Sequence, residues 1–353
     1  MPRLSETVNK IRPLDEAAMA AAQQRQDTLT KPQGSLGRLE ELSVRLAGMQ
    51  RKALPDISNK AVITMAGDHG VLAERIGNWP QEVTRQMVIN FISGGAGINV
   101  ISRQIGAKVL VVDMGVAGNI PANKGLISKK IGRGTANMAA GPAMTLADAT
   151  ASVEAGIDVV YEAAKDGLDI IGTGDMGIGN TTPSAAITAV VTGQDVAVVT
   201  GRGTGLSDEQ LTHKIGVIRK ALEVNKPNSA DALDTLAKIG GYEIGGLAGV
   251  MIGAASLNIP IVIDGFISGV AALIACGIAP STNDYLIASH LSVESGHKYV
   301  LEHLGLKPLL DLDLRLGEGT GAAMGIFLAD TACRILGEMA SFAEAGVSEE
   351  NAE

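Results

Sequence analysis

The chain has 353 residues, enough for a large core, and its 46% hydrophobic against 19% charged residues exclude a disordered protein. A net charge of −9 excludes a general binder of nucleic-acid backbone, which needs a basic stripe, though not a small anion held locally by backbone amides. With 44 glycines and only 3% aromatics, the core must be built from Ala, Val, Ile, Leu and Met between tight turns, which favours an α/β protein.

In chain order, the first 26 residues are polar and lack the basic and apolar regions of a signal peptide. Residues 14–28 and 35–50 read as helices joined by T-K-P-Q-G. The run 61–66 leads into Gly67-Asp68-His69-Gly70, where adjacent side chains on a turn point apart, so a loop-ordering role suits Asp68 and His69 better than an acid–base pair. Trp79 and Pro80 open a helix over 80–92, where the indole suits either stacking on an aromatic ligand or plain packing. Further apolar runs follow at 109–112, 168–171, 196–200, 259–263 and 285–288. They are continuous, as strands covered on both faces are. Helical patterns at 146–164, 182–191 and 207–224 lie between them.

This alternation predicts an α/β fold: a Rossmann-like open, mostly parallel sheet of about six strands with helices on both faces. Ligands are then expected beyond the carboxyl ends of the strands. A final helix is predicted over 321–345, weakened at Gly325 and Gly337. The strand-free ends suggest a small helical subdomain (1–55 and 320–353) beside a catalytic domain (56–319). Between Glu243 and Asp284 the only charge is Asp264, which reads as a buried strand flanked by buried helices, too interrupted to span a membrane. Cys276 and Cys333 read as small buried apolar residues. The five histidines show no metal-ligand spacing.

Two segments carry chemistry. Residues 172–183 (G-T-G-D-M-G-I-G-N-T-T-P) follow a strand and contain G-x-G-x-x-G. A dinucleotide fingerprint also needs an acid at the end of the next strand, whereas Asp195 precedes that run. Asn180 as a helix cap, the Thr181 and Thr182 hydroxyls and Pro183 in the first turn instead suit one phosphate or a sugar phosphate. Lys214 is a candidate partner for the phosphate, or a solvated helix lysine. The second segment, 315–323 (R-L-G-E-G-T-G-A-A), sets Glu318 between glycines before an apolar helix. Asp175 and Glu318 converging on a sugar phosphate suit base catalysis or stabilisation of a sugar cation. Carboxylate-assisted chemistry on a sugar phosphate, dinucleotide-dependent redox chemistry and non-catalytic nucleotide binding remain open at this point.

Residues 31–40 (K-P-Q-G-S-L-G-R-L-E), 67–71 (G-D-H-G-V), 80–87, 174–186, 264–266 (D-G-F) and 315–323 together resemble the nicotinate-nucleotide–dimethylbenzimidazole phosphoribosyltransferase family, in order, from about Asp15 to the last helix. The resemblance implies a cytoplasmic homodimer without cofactor or metal that activates the lower ligand of cobalamin. By that resemblance Glu318 is the general base, with Asp175 as a second catalytic carboxylate. Gly174, Met176, Gly177, Gly179, Asn180, Thr181, Thr182, Gly203, Lys214 and Ser292 would hold the nucleotide. Trp79, Gln86, Met87 and Leu316 would border the base, Gly317 and Gly319 would flank Glu318, and residues 31–35 would come from the partner subunit. Asp175 stands where the family more often has glutamate, and Trp79 where a tyrosine or smaller residue is usual. The first withdraws the carboxylate by about 1.5 Å, one C–C bond, which favours Glu318 over Asp175 as the catalytic group; the second leaves a different azole, a purine or a phenolic acceptor open beside dimethylbenzimidazole.

Overall fold

The computed structural model describes residues 2–203 and 205–348; residues 1 and 349–353 of the expected terminal subdomain lie outside the described residues. Helices α1 (Pro2–Val8), α2 (Glu16–Thr28) and α3 (Arg38–Gln50) precede β1 (Lys60–Gly67). Then come α4 (Glu82–Ser93), α5 (Gly97–Ile105), β2 (Lys108–Gly115), β3 (Leu126–Ser128), α6 (Leu146–Ala164) and β4 (Ile170–Met176). Five helices separate β4 from β5 (Ile261–Ile263): α7 (Thr181–Thr192), α8 (Val196–Val199), α9 (Asp208–Asn225), α10 (Ala232–Ile239) and α11 (Tyr242–Ser256). The chain closes with α12 (Phe266–Ile278), β6 (Leu286–Ala288), β7 (His290–Leu291), α13 (His297–Leu304), β8 (Leu310–Asp311), α14 (Thr320–Glu338) and α15 (Phe342–Ala345).

The main sheet has six strands in the order β3-β2-β1-β4-β5-β6, and every adjacent pair is parallel. This is the doubly wound order, whose direction of winding reverses between β1 and β4. The carboxyl ends of β1 and β4 therefore flank the crevice where ligands bind in such folds. The predicted α/β class and strand number agree with it, but one member differs. Residues 196–200, expected as a strand, form the short helix α8, because Asp195 caps it by accepting the Ala197 amide at 2.8 Å. An apolar run this short fits either period. The sixth strand is the edge strand β3 instead.

The stretch from α11 through β5 to α12 is a buried strand between buried helices, as expected. The last helix ends earlier than its pattern suggested. Arg25 takes the carbonyls of Leu336 and Met339, Thr30 donates to the carbonyl of Ala340, and the chain restarts as α15. The amino-terminal half of α14 lies on the sheet, with Ala322 facing Gly172 and Gly325 facing Val262, while Leu336 packs with Ala22 of α2 and Ala47 of α3. Cys333 is buried and Cys276 half-buried; both thiols are free, and burial pushes each up to about 12. Among the described residues no helix is long and apolar enough to cross a membrane.

Candidate active site

A cavity of about 410 Å³ opens over the β1/β4 switch point. Its floor is the end of β4 and the turn into α7, where Asp175, Met176, Gly177, Gly179, Asn180 and Thr181 all line it. The first amides of a helix lack intrahelical partners, so the start of α7 is suited to an anion. Asn180 holds the cap position, but its side chain does not cap: Nδ2 donates to Asp175 Oδ2 at 2.9 Å. Thr182 is fully buried behind the turn and does not reach the cavity wall.

Lys214 projects from α9 with almost no exposure and donates to Thr181 Oγ1 at 2.8 Å. Burial lowers its ammonium to about 8, against the pull of Glu294. Gly203 and Ser292 line the same end. Glu294, which the sequence did not single out, stands there too. Burial raises its pKa, while Lys214, the Gly203 amide and Arg315 oppose the rise.

Glu318 arrives from the turn before α14 and is 5% exposed. Its main chain rests on the sheet: the carbonyl accepts from Thr64 Oγ1 at 2.8 Å and the amide donates to the carbonyl of Asp175 at 3.2 Å. Only glycine fits at 174, since a Cβ there would come within 2.5 Å of the Glu318 carbonyl carbon. Gly174 and Gly319 therefore shape the site from behind and do not line it. Asp264, at the end of β5, accepts from Gly319 at 3.2 Å and Ala322 at 3.0 Å, tying the turn down. The Glu318 carboxylate faces the cavity with Oε2 on the Ile98 amide of α5 at 3.0 Å. Burial raises its pKa, against the amides of Ile98 and Gly97. Burial, reinforced by the charge of Asp264, raises Asp175 to about 8, and burial lifts Asp264 to about 7.

The opposite wall is apolar. Val83 and Met87 of α4, Met176, Leu316 and Trp79 line it, with Gly317 beside Leu316. Trp79 is 52% exposed and Leu316 60%, so both stand at the mouth. Gln86, one helix position from Met87, does not line the cavity. Phe266, His290, Arg202 and Arg315 do, although the sequence did not assign them to it. Phe266, Arg315 and Arg202 fall within glycine-bearing segments of the sequence, Arg202 between Gly201 and Gly203; His290 carries no comparable signal.

The arrangement brings a buried lysine and the amides at the start of α7, suited to a phosphate, into one cavity with an apolar wall suited to an aromatic ring and with the Glu318 carboxylate. A dinucleotide site is disfavoured, since the strand that should present a ribose-reading acid is α8. No group of three or more His, Cys, Asp or Glu side chains among the described residues is arranged to hold a metal ion.

Residues 11–347 match the phosphoribosyltransferase family model. The chain is 58% identical over 348 residues to the nicotinate-nucleotide–dimethylbenzimidazole phosphoribosyltransferase of Roseiflexus sp. (strain RS-1), covering 99% of both chains. It is 56% identical over 349 residues to the enzyme of that name from Dehalococcoides mccartyi, again covering 99% of both. The crystal structure of the Thermus thermophilus enzyme superposes with a TM-score of 0.90 at 44% identity, covering 96% of this chain and all of that one. On this likeness across nearly its whole length, the chain belongs to the nicotinate-nucleotide–dimethylbenzimidazole phosphoribosyltransferase family.

Proposed function

We propose that this protein transfers the phosphoribosyl group of nicotinate mononucleotide to a benzimidazole-type base. The products are nicotinate and an α-ribazole 5′-phosphate type nucleotide for the nucleotide loop of cobalamin. The α7 turn with Lys214 and Gly203 holds the phosphate, and the slot between Trp79, Met87 and Leu316 holds the base. The bond from ribose C1′ to the pyridinium nitrogen breaks, and its electron pair returns to that ring, so the leaving group needs no acid. An azole nitrogen attacks C1′ from the opposite face, inverting the anomeric centre. The proton on the second azole nitrogen passes to Glu318, whose raised pKa suits a proton acceptor near neutral pH. Asp175, whose carboxyl is raised to about 8, borders the ribose as a second acidic group. No step needs a metal or cofactor.

The observation that carries this reading is that Glu318, fixed on the α5 amides, shares one cavity with the Lys214–Thr181 pair. Incubation with nicotinate mononucleotide and dimethylbenzimidazole, followed by mass analysis, should show equal amounts of nicotinate and the α-nucleotide. Absence of both products would reject the reading. A purine and a phenol as alternative acceptors test what Trp79 admits at the mouth.

We further propose a homodimer acting in the cytoplasm, in keeping with the family resemblance and with Val100 of α5 and Phe327 of α14, exposed apolar residues on helices that pack together.

A further inference from the structure

Asp68 and His69 directly follow β1, the strand beside β4 at the switch point, and neither lines the cavity. Both are buried, and their side chains diverge. Asp68 Oδ2 accepts the Ala117 amide at 2.7 Å. His69 Nε2 lies 2.7 Å from Oε1 of Glu243, in the first turn of α11. Glu243 is wholly buried, and its Oε2 has no hydrogen-bond partner. A buried pair of this kind is a poor source of stability, since desolvation offsets the attraction.

Its place explains it better. A Cβ at Gly177 would sit 3.2 Å from His69 Nε2 and would collide with the carbonyl of Gly67. The imidazole is therefore packed directly beneath the main chain of the turn that faces the ligand. On its other side, a Cβ at Gly241 would lie 2.5 Å from His69 Cε1 and 2.8 Å from Glu243 Oε2, so the ring is clamped between two glycines and one carboxylate. The neighbouring amide, Ile178, is held separately by Thr84 Oγ1 of α4 at 3.0 Å.

We propose that His69, gripped by Glu243, is a positioning residue for the ligand's phosphate: its ring is the floor that sets Gly177 and the amides following it. This rests on the phosphate being held by the α7 turn, as in the proposed reaction. Burial works to lower the His69 pKa, but the charge and hydrogen bond of Glu243 outweigh it and raise the pKa.

The test compares wild type with Glu243→Gln, which keeps the shape and removes the charge, and with the double variant His69→Gln/Glu243→Gln, which leaves no buried charge unpaired. Calorimetric titration with ribose 5-phosphate reads the phosphate end without turnover, and titration with dimethylbenzimidazole reads the base slot. The double variant is expected to lose about ten-fold or more in ribose 5-phosphate affinity, with base affinity within about two-fold and Glu243→Gln in between. A variant that loses both affinities equally, or neither, overturns the assignment. Product formation by wild type, measured alongside, separates this outcome from failure of the proposed reaction: inactive wild-type protein with the affinity split intact would leave the His69 assignment standing.

Discussion

Glu318 adopts a left-handed backbone, φ 64°, flanked by Gly317 and Gly319, also at positive φ. This conformation is uncommon for a residue with a side chain, and here it aims a carboxylate at the cavity while its main chain stays on the sheet. Glu318→Gln keeps the side-chain length and loses the basic oxygen. It is expected to lower kcat by about 10²–10⁴-fold with nucleotide affinity retained, as read by steady-state kinetics beside calorimetry. Turnover equal to wild type would remove Glu318 from the proton transfer. Asp175 gives a stability prediction with a definite sign. Its carboxyl is raised from 3.8 to about 8 in the fold, so the folded state keeps a proton that the unfolded chain has already released. That contribution is complete below the unfolded value and drains away as pH rises towards 8. Asp175→Asn should therefore raise the melting temperature by about 2–4 °C at pH 8 and hardly change it at pH 4, as scanning calorimetry at the two pH values would show. A rise at pH 4 as large as that at pH 8 would contradict this origin.

At the level of elements, the amino end of α5 holds one oxygen of Glu318 and leaves the other for chemistry. A Cβ at Gly97 would meet Leu316 Cδ2 at 3.1 Å and Glu318 Oε2 at 3.3 Å. Gly97→Ala should thus shift the carboxylate by a few tenths of an ångström and cost about ten-fold or more in kcat, with little change in melting temperature. A large loss of melting temperature with normal kcat would contradict this. The elements differ in how legible they were. Helix α6 has the bounds its Ala-rich pattern suggested, and the structure adds a capping box of Thr145 and Asp148 at its start. β4 extends beyond residue 171 to Met176, because Gly172 and Gly174 are not loop residues. They are the points where α14 and the Glu318 main chain press on the strand. β3, three residues long and only partly buried, has too little apolar run to stand out. Glycine-bounded acids and hydroxyls gave Asp175, Thr181 and Glu318 away. Glu294 and His290 look ordinary in sequence and meet the cavity only through the fold of the carboxy-terminal third.

Across the whole molecule, the cavity joins the end proposed for the phosphate, where burial weakens the Lys214 cation, to an apolar mouth. Lys214 needs its proton to attract phosphate, and its pKa has fallen from 10.5 to about 8. The KM for nicotinate mononucleotide is therefore expected to climb as pH rises past about 8, while the KM for the base stays level. Parallel changes in both constants would point elsewhere than Lys214. Light scattering should give twice the 36.2 kDa chain mass if the proposed dimer forms, and a value near 36.2 kDa would exclude it. The draping of the Glu318 backbone over β1 and β4 has a consequence for biosynthesis. During translation the glycine turn and Lys214 leave the ribosome long before residue 318 is added. A chain ended before residue 318 would carry the residues of the α7 turn and Lys214 but not the carboxylate that shares their cavity, so the cavity becomes whole only when synthesis is almost finished.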